Sequence, residues 1–206
     1  SQRAHPAAAG TDPSGIPGIT AARLTPAHWI ARLDAPDATV LDAAQIQAQN
    51  ARLLAQDPSV FDLSSLPETL AGSEVRRRIE ALSAPPARAL YDVQGQEIQA
   101  TRIQELRDAL ALDQIHSEVA PRFGLVTRRA DLRSFPTGQR VFSRPGDTDI
   151  DRFQESALFP GTPVAVLHES RDGRWWFVVS RRYSAWIEAD HVALGGRGEV
   201  LGFAAQ

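Results

Sequence analysis

Apolar positions recur every three or four residues in the first half of the chain and fall into short runs in the second. The pattern predicts helices first and strands afterwards. Thr25-Pro26 reads as an N-cap followed by proline at the first helical position, opening a short helix through Leu33 with Trp29, Ile30 and Leu33 on its apolar face. Asp42 caps a longer helix to about Ala55, with Ile46, Leu53 and Leu54 on one side, and Asp57-Pro58 stops it. Val75, Ile79 and Leu82 take helical spacing within Ser73 to Leu82, before Pro85-Pro86. Thr101 with Gln104 three residues on resembles a capping box, opening a helix that carries Ile103, Leu106 and Leu110. The connections Pro58 to Gly72 and Ala84 to Ala100 are long and irregular. They predict an arm that packs against something rather than an independent helical bundle.

From Leu125 the spacing changes. Apolar runs at Leu125–Thr127, Ala157–Phe159, Val164–His168, Arg174–Ser180, Ala185–Glu188 and His191–Leu194 are separated by Gly, Pro, Asp and Ser, as in a small barrel or sandwich. Asp172-Gly173 between two such runs predicts a hairpin with a primed turn. Trp175 and Trp176 are neighbours on one strand, so one should be core and the other exposed. The stretch Arg133 to Ser156 is long and polar, which in a domain this small marks a loop that is functional or disordered. The end, from Gly195 to Phe203, reads as a linker entering another apolar strand.

Composition narrows the chemistry. The 206 residues suffice for one large domain or two small ones. A net charge of −3 lacks the basic excess that marks nucleic-acid binding. Every basic residue is arginine, consistent with a GC-rich coding sequence. There is no cysteine, hence no disulfide, thiolate metal site or cysteine nucleophile. No stretch approaches the roughly 20 apolar residues that span a bilayer. With no methionine in the chain, Ser1 to Thr20 reads as a flexible lead-in of the kind that follows a removed signal peptide. His5, His28, His116, His168 and His191 are scattered without metal-ligand spacing, and His168 reads as an ordinary surface residue at a strand end. No nucleophile-elbow motif accompanies the serines. Asp147, Asp149 and Asp151 lack the glycine and distal glutamate of an EF-hand loop. Arg76-Arg77-Arg78 reads as a solvated helix face. No catalytic residue, metal or cofactor is assigned.

The run Arg128 to Leu194 resembles the first bacterial SH3 domain of SH3-containing NlpC/P60 cell-wall peptidases. The resemblance rests on LR-x-FPT (Leu132 to Thr137), D-x-FQES (Asp151 to Ser156), G-x-PVAVLH (Gly161 to His168), DGRWWFV (Asp172 to Val178) and Y-x-x-W (Tyr183 to Trp186). Upstream, WIARLD (Trp29 to Asp34), LDAAQIQAQN (Leu41 to Asn50) and DL-x-x-LP (Asp62 to Pro67) are similar to the helical clip that precedes this domain in the family. The resemblance implies an α+β, multidomain chain. Residues 1–20 are a flexible lead-in, 21–120 an irregular helical clip, 121–195 a small all-β SH3-like barrel, and 196–206 a linker or the start of a further domain. It also implies an exported protein, periplasmic or outer-membrane-associated. Family members cleave peptidoglycan stem peptides with a Cys-His pair, and their first SH3 domain helps to hold the free amino end of the peptide. These residues contain no cysteine, so the implied role is a non-catalytic peptidoglycan-associated module. Its partners would be stem peptides or a cell-wall peptidase catalytic domain. A periplasmic protein-interaction or inhibitory module on the same scaffold is the alternative.

The window Trp175, Trp176, Tyr183 and Trp186 could form a flat apolar platform with a polar handle, or barrel core and edge cover. The carboxylates of Asp147, Asp149, Asp151 and Glu155 could pair with a ligand's ammonium group through a charge-assisted hydrogen bond. The resemblance places amine binding on Glu155 with Tyr183. The expected ligand-binding set is Glu155, Ser156, Tyr183, Trp186, Trp175 and Asp151.

Overall fold

A computed structural model of the chain describes residues 19–56 and 61–204. The lead-in before residue 19, the Asp57-Pro58 stop and the side chains of Leu53 and Leu54 lie outside the described residues. The chain divides into two compact units, Ser1–Ala51 and Arg52–Gln206.

In the first unit a 3-10 turn (Ala21–Leu24) leads into α1 (Pro26–Ile30) and then α2 (Ala43–Gln56), whose last residues pass into the second unit. Thr25 takes the N-cap position, but its hydroxyl donates back to the Ala22 carbonyl instead of accepting from α1. α1 is shorter than its apolar pattern predicts, and the chain continues to Leu33 through turns. Asp42 caps as expected, with reciprocal 2.8 Å bonds between its own N–H and carboxylate and the side chain and N–H of Gln45. Trp29, Ile30, Leu33 and Ile46 all remain exposed.

Beyond the end of α2, the described residues of the second unit include α3 (Gly72–Leu82), α4 (Ala100–Ala109) and α5 (Arg197–Ala204), with a short ladder of β1 (Leu70–Ala71) on β2 (Glu118–Val119). α4 begins at Ala100, so Thr101 and Gln104 lie inside its first turns and the expected capping box does not form; Gln104 bonds Asp108 instead. The remaining strands are β3 (Arg122–Val126), β4 (Ala130–Arg133), β5 (Gln154–Leu158), β6 (Pro163–Glu169), β7 (Trp175–Val179), β8 (Ser184–Glu188) and β9 (Val192–Gly195). They make one seven-stranded antiparallel sheet in the order β5-β4-β8-β7-β6-β3-β9. Close approach of β3 to β9 requires Gly124, where a Cβ would meet the Ala193 carbonyl oxygen at 2.7 Å. β4 falls outside the apolar runs of the sequence, because Ala130-Asp131-Leu132-Arg133 holds only two apolar residues and its alternation spans a single short stretch.

The two faces of the sheet bury different cores. Val126, Leu132, Leu158, Val164, Val178, Ile187 and Val192 meet on one side, one residue from each of the seven strands. Among the described residues no ladder joins β5 to β9, so the sheet wraps around this core and the SH3-like barrel stays open between its edge strands. On the other side Leu167, Phe177, Val179 and Trp186 pack against Val75 and Ile79 of α3 and Leu106 of α4. This α+β arrangement matches the fold class expected from the sequence.

Trp186 is fully buried in that second core, with its ring edge-on to Phe177 at 5.6 Å. Its indole N–H donates to Ser83 Oγ at 3.2 Å, and Ser83 donates to the Ser134 carbonyl at 2.6 Å, a buried relay from β8 through the end of α3 to the long loop. His168, expected at the surface, is partly buried, and its Nε2–H donates to the Leu110 carbonyl at 3.0 Å. Burial lowers its pKa below the ordinary value, against the opposing pull of the Leu110 and Ala111 carbonyls and Glu169. Arg76 of the arginine triplet is not simply solvated: it donates to the Leu112 carbonyl at 2.7 Å and ties α3 to the segment after α4.

The hairpin forms around Asp172-Gly173, but its loop runs from Ser170 to Arg174 rather than through two residues. Gly173 takes φ +69° and its N–H closes onto the Ser170 carbonyl, while Asp172 accepts from Ser170 Oγ and the Arg174 N–H. The chain end is a helix instead of a strand. Glu199 accepts from the Gly196 N–H at 3.2 Å, Val200 is buried, and Arg197 donates to the Ser64 and Leu66 carbonyls.

Ser83→Ala removes both bonds of the relay, and urea denaturation should show a loss of about 1–3 kcal/mol. An unfolded histidine titrates near 6.5, above folded His168, so below that pH the unfolded chain binds more protons. Stability should therefore be full above about pH 6.5 and fall as the pH drops toward the lowered value. His168→Gln should flatten that fall in denaturation midpoints measured against pH.

Candidate functional site

β4 ends in Arg133, which lies opposite Trp186 of β8 on one side and Gln154 of β5 on the other. Only 4% of its side chain is exposed, so the guanidinium must find its partners inside the protein. It donates to the Thr137 carbonyl at 3.0 Å, to Asp151 at 2.5 Å, to Gln154 Oε1 at 3.0 Å and to the Gln139 carbonyl at 2.5 Å. Asp151, itself nearly buried, also accepts from the Val141 and Phe153 N–H groups. One buried cation thus gathers both ends of the Arg133-to-Ser156 stretch. Phe135, Val141, Phe142 and Phe153 are buried beneath it, with the Phe135 and Phe153 rings 5.0 Å apart. Far from being a disordered connection, this loop is an organised wall.

Two concave surfaces flank the wall. The first is a cleft of about 590 Å³, lined by Arg129, Asp131 and Arg133 of β4, by Arg140 and Asp149 to Asp151 of the loop, and by Trp175, Glu188 and His191. The second, about 460 Å³, lies between the loop and the segment after α3, with Arg88, Ser134, Phe135, Arg152 and Glu155 in its lining. Asp151 and Trp175 come together in the first; Glu155 belongs to the second. Glu155 is exposed and its carboxylate has no partner among the described residues.

The other expected residues are placed apart from these surfaces. Tyr183 sits on the turn between β7 and β8, which Ser180 closes, and its side chain is 42% exposed. Ser156 is half-buried in β5, opposite Leu132. Trp186 is sealed in the core and presents no surface, and Asp151 is committed to Arg133. Of the adjacent tryptophans Trp175 is the more buried, while Trp176 lies half-buried under the Arg122 guanidinium.

Sequence reasoning passed over Arg133, Gln154, Glu188 and His191. The one available signal for Arg133 was a lone charge between Leu132 and Phe135 in an otherwise apolar motif. Glu188, Asp190 and His191 bring ligand atoms within 4.8 Å of one another, the one such group among the described residues. Arg128 already binds Asp190 at 2.5 Å, and His191 Nε2 stands 3.3 Å from Glu188. Among the described residues there is no Ser-His-Asp hydrogen-bond chain.

Fold and clefts together define an SH3-like domain whose outer face is covered by helices. Residues 140–188 match the SH3 domain (SH3b1 type) family, so the chain carries an SH3 domain of that type. The match runs from the loop to the end of β8 and includes Asp151, Glu155, Trp175, Tyr183 and Trp186. A solved NlpC/P60 endopeptidase from Photobacterium damselae subsp. piscicida has the same fold, with a TM-score of 0.59 at 18% identity over 79% of this chain. That share exceeds the Arg122–Gly195 sheet, so the likeness reaches into the helical region. The chain spans 39% of the length of that endopeptidase. None of the curated proteins matches.

Asp151→Ala strands the Arg133 charge in a buried site, and chemical denaturation should report a loss of about 3–5 kcal/mol. Limited proteolysis should then cut between residues 134 and 153 faster than in the parent protein.

Proposed function

We propose that this chain is a non-catalytic, peptidoglycan-associated SH3 module that holds the free amino end of a stem peptide for an NlpC/P60-type endopeptidase. The SH3b1 match over the loop and its acidic end carries this reading, together with the same fold in a solved NlpC/P60 endopeptidase. The chemistry of the second groove supports it. Glu155 offers an uncommitted carboxylate to an ammonium group, and Arg88 and Arg152 in the same lining suit a peptide carboxylate. Outside the lining of this groove, Tyr183 adds an exposed ring with a phenolic handle on the turn between β7 and β8. Asp151 supports the wall, and Ser156, Trp175 and Trp186 shape the domain around it. Such a module works outside the cytoplasm, in the periplasm or at the outer membrane.

A second reading is a periplasmic protein-interaction or inhibitory module. The exposed Trp29, Ile30 and Leu33 of the first unit favour it. It predicts tight capture of another periplasmic protein and no response to cell-wall fragments.

Titrating the isotope-labelled chain with L-Ala-γ-D-Glu carrying a free amine should shift backbone resonances around Glu155 and Tyr183. N-acetylation of the peptide or Glu155→Gln should weaken binding by about tenfold, the worth of one hydrogen bond to a charged group. A silent spectrum at millimolar peptide would remove the peptide-holding role.

A further inference from the structure

The Trp175 cleft is separate from the Glu155 groove; the two share no lining residue. Its charges are largely matched within its own walls. Arg129 binds Asp131 at 2.9 Å, Arg133 binds Asp151 at 2.5 Å, and His191 Nε2 faces Glu188 at 3.3 Å. Arg140 and Asp149 complete the charged lining outside these pairs, so three arginines face four carboxylates and little net charge favours an ionic ligand. A neutral ligand rich in hydroxyl groups suits such a lining, because these groups leave carboxylate lone pairs and guanidinium N–H groups to spare.

β7 also brings to the cleft a donor with no use inside the protein. Trp175 is 8% exposed, yet its indole N–H has no hydrogen-bond partner among the described residues. A buried indole ordinarily finds one. His191 Nδ1 is the sole sealed side-chain polar atom without a partner among the described residues, so the Trp175 N–H keeps contact with solvent. At the rim Ile150 is 61% exposed, an apolar edge in an otherwise polar lining. The exposed Ile150 gives the C–H face of a sugar ring apolar surface to pack on, while the indole N–H and the charged groups of the lining meet its hydroxyls. The volume of about 590 Å³ lies in the range of small-molecule sites.

We infer that this cleft binds a neutral saccharide, with the Trp175 indole N–H donating to one of its oxygens. Under the proposed function, on which this identification of its source rests, the saccharide is the glycan that carries the stem peptide. The two surfaces would then grip one polymer at two chemically different places.

The full chain is titrated with chitotetraose while the indole N–H resonances are followed. The Trp175 resonance should move saturably, and Trp175→Phe, which keeps a ring and loses the donor, should weaken binding about threefold to tenfold. Ile150→Ala, at an exposed position that leaves the core intact, should weaken it as well. L-Ala-γ-D-Glu carrying a free amine, titrated separately, should shift resonances around Glu155 without moving the Trp175 indole N–H, so loss of the peptide role and loss of this one read out separately. Co-sedimentation with insoluble glycan strands marks the polymer as the source, and binding of chitotetraose alone marks a free sugar. An unmoved Trp175 resonance, or tighter binding of the cationic glucosamine tetramer than of chitotetraose, would overturn the inference.

Discussion

The outer face of the sheet is apolar and has to be covered. Phe177, Val179 and Leu167 stand on it beside Trp186, which is fully buried, and each such side chain contributes about 1.5–3 kcal/mol only if water is kept away. A half-open barrel with this face in solvent would expose a sticky patch. α3 and α4 meet the requirement, and most of the second unit follows from how they do so. The Trp186 indole N–H would be orphaned by an entirely apolar cover, and Ser83 at the end of α3 satisfies it while tethering the Ser134 carbonyl. His168, similarly trapped, uses the last carbonyl of the α4 segment. α3 and α4 are therefore a structural part of the SH3-like domain, joined to it by a mixed apolar and polar interface.

The long loop obeys a second constraint of a different kind. A guanidinium buried as deeply as that of Arg133 is tolerable only when nearly all its donors are used. Two loop carbonyls, one carboxylate and one side-chain amide supply the acceptors, and the loop is folded by the need to supply them. The wall so formed has two sides. One faces a cleft of nearly balanced charge into which β7 brings an unused indole donor, and the other carries an uncommitted glutamate. A single buried cation thereby separates two surfaces of different chemistry on one small domain.

Much of this was legible in the residues where the determining contacts are local. The Asp42–Gln45 box joins groups three residues apart, and the Asp172-Gly173 loop closes on Ser170. Alternation along one strand put Trp175 and Trp176 on opposite faces, but Trp176 is half-buried against the other core instead of exposed. Thr101 looked the same as Asp42 in sequence and did not cap, because the backbone had already entered the helix at Ala100. β4 and α5 were missed since their stability comes from partners. β4 sits between β5 and β8, and α5 buries Val200 while Arg197 reaches back to Ser64 and Leu66.

The candidate site divides along the same line. Sequence by itself determined the helix-then-strand order, the SH3-like motif set, the lack of cysteine in these 206 residues, an acidic stretch and, further along, a cluster of aromatic residues. Those properties depend on residue type and on spacing within a few positions. Only tertiary structure decided that Trp186 is sealed, that Asp151 serves Arg133, and that Trp175 and Glu155 open onto different surfaces. Each outcome depends on a neighbour remote in the chain: Ser83 lies 103 residues from Trp186, and Asp151 lies 18 from Arg133. Whether a polar group is left free for a ligand depends on what the fold brings beside it, and no local pattern encodes that.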